Sequence, residues 1–373
     1  IFSARSHAEH RDRRRKVVGA ALTSSHVRAY SPVVQKHVQH FLSALPPSQA
    51  NIAEPVHALT FNTLAEIIYG PSISPQPWTD TASGEGILEA FRGMSKFAWG
   101  GSHVPFLGWL FSTKPMVAMT RKPTFNAAGI PTGVGALATR AKVLLLEDQS
   151  LVTDVEQPSI AKSMLAIEKG DSRHMDNDEL FRECFNLLFA GPGSTAAAIT
   201  GVLERLGTKE GAVWQDRIRA ELAEGKDASE SKVLDAVIRE SMRYSTPFPT
   251  AFPRDITPGA ESAIAGISTP LPVGTLVGSD SWVVSHDVGT WGTNAKAWMP
   301  ERWLEGERKE NEDKFLVFSK GPRGCIGRDI AMLITTQAVA GVVSRWKFES
   351  SGIKGGGWLE MQVQECGLKL TPV

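Results

Sequence analysis

The sequence has no charge excess of either sign: 40 Lys and Arg stand against 40 Asp and Glu. A balanced chain sets up no uniform field, which argues against nucleic acid or an acidic surface as partner. Only three cysteines are present, far apart. They make no disulfide framework and fit a reducing compartment. No unbroken apolar run reaches about 18 residues, so no membrane span is predicted. No Gly-x-Gly-x-x-Gly follows a predicted strand, which leaves no dinucleotide site of that kind. Internal repeats and low-complexity tracts are missing as well. His37 and His40 lie three apart and His57 stands alone, with no further ligand at zinc spacing. What remains is ordinary: 373 residues, 42% hydrophobic and 21% charged, the composition of a globular protein with a sizeable core. The chain opens on Ile1-Phe-Ser-Ala, without a methionine, and reads as a fragment of a longer protein.

The most unusual stretch lies near the C-terminus, Phe318-Ser-Lys-Gly-Pro-Arg-Gly-Cys-Ile-Gly-Arg-Asp329. Gly321, Gly324 and Gly327 enclose Cys325, a density that lets backbone turn tightly and approach a flat object closely. Ile330, Met332, Leu333, Val339, Val342 and Val343 then recur at helical spacing and predict a helix over 328–346. Cys325 is therefore expected just before a helix N-terminus, where the dipole and free N–H groups favour a thiolate. Such a thiolate serves as nucleophile, zinc ligand or haem ligand. The plain alternative is a small buried hydrophobe.

A helix is also predicted over 178–206, although Gly191, Pro192 and Gly193 follow one another in its middle. Each weakens a helix, and Pro192 removes a backbone hydrogen bond. Apolar helix on both sides implies a kink with a groove lined by the Ser194 and Thr195 hydroxyls. The alternative is a loop between two shorter helices. Glu240 and Arg243, three apart in a helix over 231–244, share one face; if exposed, such a pair contributes little to stability. The basic block His10-Arg-Asp-Arg-Arg-Arg-Lys16 opens an element predicted over 10–42. It is either a solvated face or, through His10 and Arg14 four apart, a grip on one carboxylate. Further helices are predicted over 54–69, 86–99, 132–147 and 210–224. Phe97, Trp99, Phe106, Trp109 and Phe111 form a satellite of the core or an apolar cover. Three prolines keep 247–253 out of any central strand. Short strands are expected over 262–267 and 275–277, with a hairpin around 355–357.

The spacing Phe-x-x-Gly-x-Arg-x-Cys-x-Gly, met by Phe318, Gly321, Arg323, Cys325 and Gly327, resembles the haem-thiolate signature of the cytochromes P450. Three further stretches resemble that family in the same chain order. His10-x-x-x-Arg14 is similar to its propionate-binding helix. Ala190-Gly-Pro-Gly-Ser-Thr195 resembles its oxygen-activation segment, with Gly193 replacing the acid and Ser194 the first threonine. Glu240-Ser-Met-Arg243, with Arg302 in Met299-Pro-Glu-Arg-Trp303, resembles its buried Glu–Arg–Arg set.

The resemblance implies one catalytic domain over 1–373, mostly α with small β-sheets, lacking roughly the first hundred residues and the membrane anchor they carry. It implies haem b with Cys325 as proximal ligand and Phe318, Arg323 and Gly327 beside it, while His10, Arg14 and Arg254 hold the propionates. A thiolate ligand favours O–O cleavage, and Ser194 and Thr195 would sit near dioxygen. Glu240, Arg243 and Arg302 are implied as structural. Electrons would come from NADPH through a separate NADPH–cytochrome P450 reductase, which the basic face near residues 10–16 would meet. One oxygen atom would enter a small apolar organic substrate. Gly-Pro-Gly-Ser-Thr and Pro-Glu-Arg-Trp look most like filamentous-fungal members that tailor secondary metabolites. The full-length protein is then expected on the cytosolic face of the endoplasmic reticulum, touching the membrane only through its anchor. The missing acid at Gly193 leaves a haem-thiolate enzyme of non-oxygenase type (rearrangement, coupling or peroxide use) as one alternative. An inactive truncated product is another.

Overall fold

Asp176 accepts the Glu179 N–H at 2.8 Å, while the Glu179 carboxylate accepts the Asp176 N–H at 3.2 Å. This reciprocal cap satisfies two of the donors left over at a helix start, and from it the longest helix runs unbroken over Asn177–Leu206. The structure, a computed structural model, describes residues 10–11, 15–46, 48–73, 99–101, 104–111, 113, 124–125, 131–261, 266–304, 308–357 and 360–373.

The architecture is mostly helical with small sheets. In chain order the main helices are α1 (Lys16–Ala20), α2 (Ser24–Ala29), α3 (Ser31–Ala44), α4 (Ala53–Tyr69), α5 (Gly133–Lys142), α6 (Asn177–Leu206), α7 (Lys209–Ala223), α8 (Lys232–Tyr244) and α9 (Arg328–Arg345). The strands used below are β1 (Gln49–Asn51), β2 (Arg254–Asp255), β3 (Leu276–Val277), β4 (Trp346–Gly357) and β5 (Met361–Pro372). β5 pairs antiparallel with β1 and β4, and β2 pairs antiparallel with β3. Val34, Phe41, Ile67, Leu144, Ile199 and Val343 belong to one continuous apolar core drawn from α3, α4, α6 and α9 and the turn after α5.

Most predicted helices recur within a residue or two at each end, but the element predicted over 10–42 divides into α1, α2 and α3. Pro32 sits in the first turn of α3, where its missing N–H is harmless; a continuing helix would have needed that donor. The prediction over 132–147 splits into α5 and a wider π-helical turn, Val143–Glu147. The predicted strand 275–277 shortens to β3. Most of the predicted helix 86–99, including Phe97, lies outside the described residues, as do 262–265 of the predicted strand 262–267. Phe106 and Trp109 are 65% and 64% exposed on the short helix Pro105–Phe111, so these two are not a core satellite. α6 is long and apolar enough to cross a membrane, contrary to the reading of apolar runs. Its apolar window is nevertheless 61% buried within the protein.

One buried charge ties α3 to α4. Glu66 accepts from Lys36 Nζ at 2.8 and 2.6 Å, from His37 Nε2 at 2.8 Å and from Gln157 at 3.3 Å. His37 is thus a hydrogen-bond partner of Glu66. Burial pushes the Glu66 carboxyl up, but the bonds and charges of His37 and Lys36 outweigh it and hold the group at about 2. A carboxylate depressed from 4.5 to about 2 contributes up to about 3 kcal/mol, less here because Lys36 is largely exposed. That stability is present above the unfolded value and lost as pH falls through the folded one. Glu66→Gln should therefore unfold at lower urea concentration than wild type at pH 7, the gap closing as pH falls from about 4.5 toward 2. A gap that stays constant across this range would show that Glu66 is not held ionised by its partners.

Candidate active site

The Cys325 loop is built by backbone bonding. The Cys325 N–H donates to Phe318 O at 2.8 Å and the Gly324 N–H to Gly321 O at 3.0 Å. The chain reaches this shape through left-handed turns at Ser319 (φ 54°) and Gly321 (φ 68°), the latter a conformation glycine adopts without penalty. From the far end of the chain, Arg15 donates to Gly324 O at 3.0 Å and Pro322 O at 3.5 Å. Arg15 belongs to the basic block, but sequence reasoning chose its neighbours. His10 is buried, and Arg14 lies outside the described residues.

Cys325 is open to solvent at its tip, yet burial pushes its thiol above the ordinary value. The Gly327 N–H and the charges of Arg15 and Arg328 pull the other way and do not win. The loop and the start of α9 favour a thiolate, as the sequence implies, but without a ligand burial costs more here than they return. A metal ion bound here would take the place of the proton and offset that cost. Arg323 has its guanidinium held below the ordinary value by burial and then by the like charge of Arg254. An anion of more than one charge near both guanidinium groups would offset their repulsion. A single thiol with a backbone N–H aimed at it, next to two such cations, fits an iron porphyrin bearing two carboxylates.

Behind the loop, Glu240 and Arg243 are fully buried. Arg243 Nε and Nη2 donate to the two Glu240 oxygens at 2.9 and 2.8 Å. The remaining Arg243 donors go to the carbonyls of Ser285, Ala295 and Ala297. Glu240 also accepts from the Met299 N–H at 2.8 Å, Arg302 Nε at 3.3 Å and Trp303 Nε1 at 3.0 Å. Trp303 was missed in the sequence because its role is visible only once its indole N–H faces the carboxylate.

α6 passes through residues 190–195 without a break, which sets aside the alternative of a loop between two shorter helices. A Cβ on Gly191 would lie 2.7 Å from Leu64 Cδ1, so this glycine lets α4 pack close. A Cβ on Gly193 would lie 2.5 Å from Glu360 Cδ and 2.6 Å from its Oε2. The Ser194 hydroxyl donates back to Ala190 O at 3.0 Å and Gly191 O at 3.1 Å, and Thr195 is buried. Glu360, on the turn between β4 and β5, had no sequence signal at all.

Residues 1–354 match the family model for cytochrome P450. The chain belongs to the cytochrome P450 family. Among curated relatives, quiannulatic acid synthase of Emericella variicolor is 26% identical over 81% of this chain and 62% of its own length. The cytochrome P450 monooxygenase cicH of Emericella nidulans is 22% identical over 93% of this chain and 71% of its own. The monooxygenase asR2 of Sarocladium schorii reaches 36% identity over 33% of this chain. The chain spans only 24% of asR2 and 62% of quiannulatic acid synthase. A solved cytochrome P450, CYP102L1, superposes with a TM-score of 0.72 at 17% identity, covering 97% of this chain and 78% of that one. The haem domain of cytochrome P450DA gives 0.71 at 15% identity, covering 98% and 76%. At these identities the superpositions establish the fold alone.

Removing the Glu240 carboxylate leaves two guanidinium groups without their common acceptor, one of them fully buried, a cost of about 3–5 kcal/mol. Glu240→Ala is expected to give little soluble protein and a strongly lowered melting temperature. Trp303→Phe, which deletes one donor and keeps the ring, should cost only about 1–2 kcal/mol. A wild-type melting temperature in Glu240→Ala would show that the cluster is not what holds this part of the fold.

Proposed function

We propose that the chain is the haem-binding body of a thiolate-ligated monooxygenase that inserts one atom of dioxygen into a small apolar organic substrate. In the overall reaction substrate, dioxygen, two electrons and two protons give oxygenated product and water. The observation that carries the reading is Cys325, placed on a loop fastened from behind to Phe318 and from the far terminus by Arg15. Haem, when bound, would supply the oxygen chemistry. Cys325 would hold its iron, with Phe318 and Gly327 flanking the sulfur. Arg254, Arg323, His10 and Arg14 would meet its carboxylates. Ser194 and Thr195 would serve the distal side, and Glu240, Arg243 and Arg302 would hold the frame.

Fungal relatives named as monooxygenases and as a synthase of an organic acid support a role in secondary metabolism. NADPH would supply electrons through a separate reductase at the endoplasmic reticulum, as is general for fungal members of the family. Cys325→Ser tests the ligation. It should bind some haem yet lose the red-shifted Soret band of the reduced carbon-monoxide complex, because a serine hydroxyl does not ionise here. An unchanged spectrum would move the search to Cys184 and Cys366, whose thiols burial pushes up to about 12.

The two candidate alcohols are separable. With its own proton donated back to helix carbonyls, the Ser194 oxygen keeps lone pairs for a proton passing along the distal side. Ser194→Ala should leave substrate binding intact and lower product per NADPH several-fold, the balance appearing as hydrogen peroxide. Thr195→Ala should matter less, since the next helical residue points about 100° away. The reverse ranking would make Thr195 the working alcohol.

A further inference from the structure

We propose that Glu360, on the turn between β4 and β5, supplies across space the acid that α6 lacks at Gly193, and relays protons to the distal side next to Ser194. This rests on the monooxygenase reading above. The observation is steric: the Glu360 carboxyl fills the volume of a side chain at position 193, with Cδ 2.5 Å and Oε2 2.6 Å from where its Cβ would be. Gly193 is therefore the opening through which a carboxyl from another element reaches the helix. The residues that flank it in the strands are held in place. The Met361 N–H donates to Pro247 O at 2.8 Å, Gly357 stands opposite Met361 in the register, and a Cβ on Gly357 would lie 3.1 Å from Pro249. Ser194, one helical step of about 100° further round, turns its hydroxyl to the carbonyls of Ala190 and Gly191, so a water would have to bridge it to Glu360.

The surroundings suit a proton carrier. Part of the Glu360 side chain is open to solvent, yet burial alone pushes its carboxyl up to about 8. At pH 7 it is then protonated in about ten molecules for each ionised one, close to the match between acid strength and working pH that proton transfer favours. Among the described residues of the elements beside it, no charge opposes this. Between Cys184 and Glu204, α6 has no titratable side chain, and neither has the 247–253 stretch. On the hairpin the nearest charges, Lys354 and Glu365, pair with each other at 2.7 Å. Two protons are consumed for each dioxygen reduced. Glu360 would pass one from its carboxyl oxygen, directly or through one water and Ser194, and recover it from solvent, so that it ends each cycle unchanged.

The haem-loaded protein gives two independent measurements. The first is stability against pH. A carboxyl whose folded value is raised binds a proton in the folded but not the unfolded state between 4.5 and about 8, so stability falls as pH rises through that window. Wild type and Glu360→Gln should have similar urea midpoints near pH 5. By about pH 8 the wild type should unfold earlier; parallel curves would overturn the placement of Glu360. The second is coupling with reductase and NADPH. Glu360→Gln should lower product per NADPH several-fold and raise hydrogen peroxide. Gly193→Ala, which keeps the acid but pushes it off the helix, should do the same. The double variant Gly193→Glu/Glu360→Gly, with the carboxyl returned to α6, should recover much of the loss. Unchanged coupling in both single variants, with a normal carbon-monoxide spectrum, would overturn the relay alone. A wild type without that spectrum would overturn the haem-thiolate reading and the relay with it.

Discussion

The Glu240 carboxylate is the point on which the rest of the site depends. It is fully buried, and an isolated carboxylate there would cost far more than any single contact returns. It survives because five donor groups converge on it: two from Arg243 and one each from Met299, Arg302 and Trp303. Replacing such a set by apolar side chains is often neutral for stability, so its value lies in specifying one arrangement. That arrangement reaches the loop through packed rings. Trp303 meets Phe315 edge-on at 5.2 Å, Phe315 meets Phe318 at 6.2 Å, and Phe318 O receives the Cys325 N–H. Arg328 lies over the Phe318 ring at 5.7 Å. The position of the sulfur is thereby tied to a buried charge two rings behind its own loop.

The opposite flank is tied down by Arg15, whose bonds to the loop carbonyls use acceptors with no partner in a regular ladder. The same guanidinium, with Arg328, lowers the cost of a charged sulfur without abolishing it. A cation held by Cys325 would take the place of its proton, so that binding it and ionising the thiol would be coupled. Cys184 and Cys366 are buried and lack such surroundings, which is why their thiols behave as core side chains.

What was legible in the sequence was local. A glycine-rich loop before a helix, Glu and Arg three apart, and a capped apolar helix are all written within a few residues of one another. The structure puts Glu240, Arg243 and Arg302 together, and brings Arg254 to face Arg323. What escaped was apposition across the fold. His10 and Arg14 are paired by helical spacing alone, whereas the bonds of Arg15 to the loop carbonyls depend on how the chain before α1 lies against the loop. Trp303 gave no sign because an indole N–H matters only opposite an acceptor. In the run Gly191-Pro-Gly193 the sequence also could not show that each glycine answers a different neighbour, Leu64 for the first and Glu360 for the second.

The last of these differences changes what a missing residue means. A glycine where relatives by resemblance carry an acid points toward lost proton delivery, and so toward chemistry that needs none. That inference assumes that the function belongs to the position. A proton carrier is defined by where its oxygen lies and by its acidity, and neither depends on which strand or helix holds the Cα. With the Glu360 carboxyl in the space above Gly193, any side chain at 193 would compete with it. The glycine and the distant glutamate are thus one feature in two places, and the glycine by itself no longer favours a non-oxygenase.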